Sequence, residues 1–307
     1  MDQQGVARGG CESASGRAVG SLDGGVRSGA ARVIVDGVSL ACEDRGRGRP
    51  LVFVHGLAGC SASWRATASV LSRDFRTIAV DLMGFGRSDK PLGESYSLER
   101  QAELLRLFLD GLALEDVVLI GHSYGGGVCS VALSDPCPRV SALVLVDSVC
   151  YPQSVPLSFR VIGFPLLGPV ALYLAPKSWV TGAVFGNAYG EKTAPAREVV
   201  AANALALASA SGRHALIQTV RELMARPPEP LADYSRLSLP TLIMWGRRDR
   251  LVPIALGERL ASEIPGARFA ALEGCGHLPQ EESPEETAEA IAHFVGGTPS
   301  GLTGSYE

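Results

Sequence analysis

The chain has little that would tie it to nucleic acid, metal or membrane. Its 307 residues contain no run of basic side chains, the formal net charge is -4 and the pI is near 5.8. A mildly acidic chain offers no electrostatic footprint for nucleic acid or an anionic membrane, so neither is expected as a partner. The seven cysteines, at 11, 42, 60, 129, 137, 150 and 275, are odd in number, and no two stand at C-x-x-C spacing. That pattern argues against the common zinc and redox motifs and for idle or buried thiols in a reducing, cytoplasmic setting. Histidines and carboxylates are not clustered as metal ligands would be, so no metal and no organic cofactor is expected. The first thirty residues carry Arg8, Arg17 and Arg27 among Gly, Ser and Ala, without the apolar core of a secretory signal. Residues 1–30 are therefore expected to form a disordered tail, and 299–307 a loose one. Val155 to Ala175 is quite apolar, but Arg160, Pro156, Pro165 and Pro169 interrupt it, which argues against a membrane span. There is no internal repeat.

What is present is an ordinary globular balance, 46% apolar and 20% charged, enough to bury a sizeable core. Val33-Ile34-Val35 and Val38-Ser39-Leu40 flank Asp36-Gly37, the signature of a hairpin, with a loop expected over Arg45 to Pro50. Apolar runs then alternate with helical patterns. Strands are expected at 51–54, 77–80, 117–120 and 143–146, and helices at 64–71, 98–112 and 126–133. Continuous apolar strands separated by helices imply an α/β fold, a mostly parallel sheet covered on both faces, with ligands beyond the carboxyl ends of its strands. The rhythm breaks after Asp147 and returns at Thr241, with a helix at 253–264, a strand at 268–272 and a closing helix at 284–294. The expected organisation is a core over 31–147 and 236–298, with a helical cap inserted at 148–235.

Gly121-His122-Ser123-Tyr124-Gly125 fits G-x-S-x-G between a strand and a helix, the context that gives this motif meaning. A tight turn there exposes the Ser123 hydroxyl, and the Tyr124 N–H at the helix start can face a developing oxyanion. Serine needs a base. Of five histidines, His277 in the loop Gly274 to Pro279 fits the chain order Ser…Asp…His. Asp249, just past a strand, is the expected acid, and Asp147, at the end of an earlier strand, is its rival. His55-Gly56-Leu57-Ala58-Gly59 follows the first core strand and can offer the Leu57 N–H as a second oxyanion donor.

These stretches, with Asp81 to Ser88, Gly246-Arg247-Arg248-Asp249 and Gly276-His277, resemble the α/β-hydrolase superfamily from about Arg32 to Val295. The resemblance implies that Asp81 to Ser88 is structural. Haloalkane dehalogenases and epoxide hydrolases of this fold carry Asp at the elbow, so Ser123 disfavours both. Carbon–carbon hydrolases of ring-cleavage products often carry Asn before the serine and an aromatic after the histidine, where this chain has His122 and Leu278. Arg160, Arg197 and Arg213 are candidate carboxylate binders for such a substrate. The expected activity is hydrolysis of small to medium, largely apolar carboxylic esters through an acyl-serine. A thioesterase, acyltransferase or carbon–carbon hydrolase with the same triad is the alternative, and a ligand-binding sensor on the same fold is a third.

Overall fold

The computed structural model describes residues 17–19, 27–153, 157–165, 167–174, 188–190 and 196–296. Its centre is a nine-stranded sheet. In chain order the strands are β1 (Arg17–Val19), β2 (Arg27–Val35), β3 (Val38–Gly46), β4 (Pro50–Val54), β5 (Arg76–Val80), β6 (Val117–His122), β7 (Val140–Val146), β8 (Thr241–Gly246) and β9 (Arg268–Leu272). They lie side by side in the order β1-β2-β3-β5-β4-β6-β7-β8-β9. The first three and the β3/β5 pair are antiparallel, and from β5 to β9 every pairing is parallel.

The central strands alternate sides, as a pleated strand requires. Val52 and Val54 of β4 and Val117 and Leu119 of β6 enter one core, while Leu51 and Phe53, Val118 and Ile120 enter the other. Both faces are thus greasy, so both must be covered. Helix α2 (Leu98–Gly111) and helix α3 (Tyr124–Ala132) supply Leu104, Leu105, Phe108 and Val128 to the first core. Helix α1 (Arg65–Leu71) and the closing helix Pro284–Phe294 supply Ala68, Leu71, Ala288 and Ile291 to the second. Ser97 caps α2 by accepting from the Arg100 N–H at 3.2 Å. Arg76 grips Asp44 through two bonds, of 3.1 and 2.8 Å, and so ties β5 to β3.

Two boundaries differ from expectation. Residues 1–30 were expected to be a disordered tail, but Arg17–Val19 and Arg27–Val35 are paired strands. The reason is backbone pairing: β3 extends to Gly46 and offers partners back to Arg27, and a ladder needs no apolar side chains to hold it. For the same reason Arg45 and Gly46 end a strand rather than begin a loop, and β4 starts at Pro50. Within 148–235 the described residues form helices Leu157–Gly163, Leu167–Leu174, Arg197–Ala208 and Ala210–Met224. Among the described residues no helix is long and apolar enough to cross a membrane. The expected tail at 299–307 lies outside the described residues.

Candidate active site

Ser123 follows β6 and starts α3 with φ 51° and ψ -120°, a backbone state that L residues avoid. The surroundings hold it there. The Ser123 N–H donates to Val146 O at 2.9 Å, and its carbonyl accepts from Gly126, Gly127 and Val149. The flanking glycines are required by contact. A Cβ on Gly121 would lie 2.6 Å from the Gly126 Cα, and one on Gly125 would lie 2.5 Å from the Val54 and His55 carbonyl oxygens. The hydroxyl is thereby lifted off the end of the sheet.

His277 sits in the loop after β9, nearly buried. Its Nε2 is 2.9 Å from Ser123 Oγ and its Nδ1 is 2.7 Å from Asp249 Oδ2. A carboxylate only accepts, so Nδ1 carries the hydrogen and Nε2 is left to accept from serine. The other Asp249 oxygen accepts from the Leu251 and Val252 N–H groups at 2.7 and 2.9 Å. Burial alone would raise the Asp249 carboxyl, but His277 and these bonds hold it below its usual range. The row Ser123–His277–Asp249 therefore joins the three residues expected from the sequence.

Asp147, the rival acid, is fully buried at the end of β7 with φ 44°. It does not take the His277 Nδ1. Its Oδ1 accepts from the Gly246 N–H at 2.9 Å, and burial, then the charge of Asp249, push its carboxyl well above the usual range.

The loop after β4, from which the Leu57 N–H was expected, is braced by His55. Its Nε2 accepts from the Leu82 N–H at 3.0 Å, so Nδ1 donates to Gly56 O at 2.8 Å, and burial keeps the ring neutral. Gly59 N–H closes the turn on Gly56 O at 3.0 Å, and Ala58 takes φ 60°. Leu57 and Tyr124 both line the cavity at Ser123. Asp81 is structural: its two oxygens accept from the Ser61 and Arg87 N–H groups, at 2.6 and 2.8 Å.

Sequence reasoning missed the residues that hold His277. His122 Nε2–H donates to His277 O at 2.7 Å, and burial pushes its imidazole down to about 3, so it stays neutral. Glu282 accepts from the Gly276 N–H at 2.9 Å and the Gly190 N–H at 2.7 Å. A carboxylate five residues after a histidine carries no local signal of such a role.

Two cavities reach Ser123 and His277. The larger, about 390 Å³, is lined by apolar groups including Tyr151, Phe159, Leu223 and Val252, with Arg160 also on its wall. The smaller, about 60 Å³, is lined by Ser63, Asn203 and Glu281. Tyr189 O–H donates to Glu281, and burial pushes that carboxyl up to about 7. Of the other expected arginines, Arg213 stacks on Tyr173 at 4.2 Å and donates to Ala208 O, away from this wall. Arg197 opens the helix Arg197–Ala208 and is exposed.

Known proteins agree with this architecture. An uncharacterized hydrolase of Bacillus subtilis, YugF, is 30% identical over 273 residues, covering 86% of this chain and 97% of its own length. A 2-hydroxy-6-oxononadienedioate/2-hydroxy-6-oxononatrienedioate hydrolase of Cupriavidus pinatubonensis is 28% identical, covering 84% of this chain and 90% of its own. A thermophilic esterase from Thermogutta terrifontis superposes with a TM-score of 0.72 at 27% identity, covering 87% of this chain and 98% of its own. The family model for the alpha/beta hydrolase family matches residues 51–290. With β5 to β9, all of β4 but its first residue, and the elbow inside that match, the chain belongs to the alpha/beta hydrolase family.

Proposed function

We propose that this hydrolase cleaves carboxylic esters of small to medium, largely apolar substrates through an acyl-serine intermediate. The observation that carries the reading is the unbroken row from Ser123 Oγ through His277 to Asp249, opening on an apolar cavity. Ser123 Oγ attacks the ester carbonyl while His277 Nε2 takes its proton. The Leu57 and Tyr124 N–H groups receive the oxyanion. His277 then returns the proton to the leaving alcohol, and Asp249 stabilises the imidazolium. Water, deprotonated by His277, attacks the acyl carbonyl and frees the acid and Ser123. The cavity volume suits an acyl or aryl group of modest length.

A second reading keeps the row and changes the bond or the acceptor: a carbon–carbon hydrolase, a thioesterase or an acyltransferase. The Cupriavidus relative's name and Arg160 on the cavity wall favour the carbon–carbon branch, with Arg160 as a carboxylate contact. A ligand-binding sensor would need no such row.

A fluorophosphonate probe with peptide mapping, beside p-nitrophenyl esters of rising chain length, tests the proposal. Labelling at Ser123 and turnover that peaks at one acyl length are expected. Ser123→Ala should lose activity by about 10³-fold or more with an unchanged melting temperature. Turnover of a vinylogous diketone alone would overturn the ester reading, and a folded protein that neither labels nor turns over would point to the sensor.

A further inference from the structure

Asp147 is a buried acid that the proposed chemistry does not use. It is 0% exposed. One of its oxygens, one of Asp249's and a ring nitrogen of His277 all lie within 4.8 Å of one another. Its Oδ1 is occupied by the Gly246 N–H, while its buried Oδ2 has no hydrogen-bond partner among the described residues. A buried polar atom left unsatisfied costs about 1–3 kcal/mol, so this one calls for an explanation.

Two carboxylates this close and this dry do not both ionise. The donors decide which of them does. Asp249 accepts from His277 and from two backbone N–H groups, whereas Asp147 accepts from one. The other ionisable groups acting on Asp147 do not help a charge: Glu282 opposes it, and the buried Cys275 thiol nearby is neutral, pushed up to about 11.

Building on the triad reading above, we propose that Asp147 is a neutral carboxylic acid whose Oδ2–H donates to Asp249, making it a positioning residue for the acid of the row. Oδ2 then changes from an orphaned acceptor into a donor, and the only other strong acceptor in this group of three is the Asp249 carboxylate. The backbone supports the arrangement. Asp147 has φ 44°, its N–H donates to Met244 O of β8 at 3.0 Å, and its Oδ1 accepts from the Gly246 N–H at the end of the same strand, so backbone and side chain are both tied to β8. The group of three could instead offer ligands to a divalent cation. However, His277 Nδ1 needs its hydrogen for Asp249, which leaves no lone pair there for a metal.

Asp147→Asn and Asp147→Leu separate the roles. Asparagine keeps both bonds, accepting from Gly246 and donating to Asp249, so kcat/KM should stay within about threefold of wild type. Its acid limb in the pH–rate profile should not move. Leucine donates nothing, so Asp249 is less stabilised as an anion and holds the imidazolium more tightly. The acid limb should then move to higher pH, with kcat reduced more than KM. Infrared spectroscopy at pH 8.5, where Glu281 is ionised, should show a protonated-carboxyl C=O band in wild type that is lost in Asp147→Asn. A loss of about 10³–10⁴-fold in Asp147→Asn, matching Asp249→Asn, would overturn the proposal by making Asp147 the charged acid. So would an unchanged infrared band, or a stoichiometric divalent cation that wild type retains and the variant loses. The infrared result is independent of substrate. If Ser123 fails to label while the band behaves as expected, the catalytic reading has failed and the proton assignment stands.

Discussion

Glu281 should make the stability of this protein fall as pH rises toward neutrality. Its carboxyl lines the small cavity beside Ser123 and accepts from Tyr189, and burial raises it from 4.5 to about 7. Between those values the native state holds a proton that the unfolded chain has released. The native state binds more protons, so stability decreases with pH through that window. The contribution is fully present below pH 4.5 and gone above about 7. Some 2.5 pH units at about 1.4 kcal/mol each give roughly 3 kcal/mol. Glu281→Gln keeps a carbonyl oxygen for the Tyr189 hydroxyl and carries no charge. It should therefore lack this slope and exceed wild type above pH 7 by up to about 3 kcal/mol. Guanidinium unfolding midpoints of both proteins at pH 4.5, 5.5, 6.5 and 8 read the difference. The other raised carboxyls, Asp147 and Glu286, titrate in both proteins and cancel. If the two curves run parallel across the window, Glu281 is an ordinary solvated acid and the description of the small cavity is wrong.

Two further substitutions test the scaffold. Gly125→Ala pushes a methyl to 2.5 Å from two backbone carbonyl oxygens of the first core strand and its loop, which cannot swing aside. It should cost about 3 kcal/mol or more, lower the melting temperature, and abolish fluorophosphonate labelling before global unfolding. Wild-type labelling in this variant would refute the contact. Arg76→Ala removes the two-bond partner of the nearly buried Asp44 and should cost about 2–3 kcal/mol, with activity per folded molecule unchanged. A cost near zero would mean that β3 and β5 are held by their backbone ladder alone.

The core of the fold was legible because its signal is local and repeated. Leu51 to Val54, Val117 to Ile120 and Leu143 to Val146 are apolar at every position, and runs this short between turn signals suit a strand buried on both faces. The closing helix was read at its observed bounds, Pro284–Phe294, because proline at its start and apolar spacing along it agree. The start of the sheet was less legible. Arg27 to Ala31 has the composition of a loose tail, and what orders it is a backbone ladder with β3, which side-chain patterning does not encode. His122 and Glu282 were hidden for a related reason. Each acts on backbone groups of the His277 loop, His122 from 155 residues away, and nothing about either in the sequence marks the partner.

The choice between Asp147 and Asp249 shows why spacing could not finish the argument. Both follow Ser123 and precede His277, so either satisfies the chain order. The sheet separates them. Strand β7 lies between β6, which carries Ser123, and β8, which leads to Asp249, and β9 beyond β8 leads to His277. Asp147 is therefore forced into the interval between the strand that carries Ser123 and the strand that leads to Asp249, at about 4.8 Å per strand. A second acid in that interval either takes the imidazole or gives up its charge. His277 reaches Asp249, at 2.7 Å, and Asp249 has the additional N–H donors that stabilise an anion. Once those bonds are made, a charge on Asp147 would have no counterion, and protonation is the outcome that leaves every buried oxygen in the group with a partner. Strand order thus does more than bring the three residues of the row together. It also sets the protonation state of the carboxyl that it places beside them.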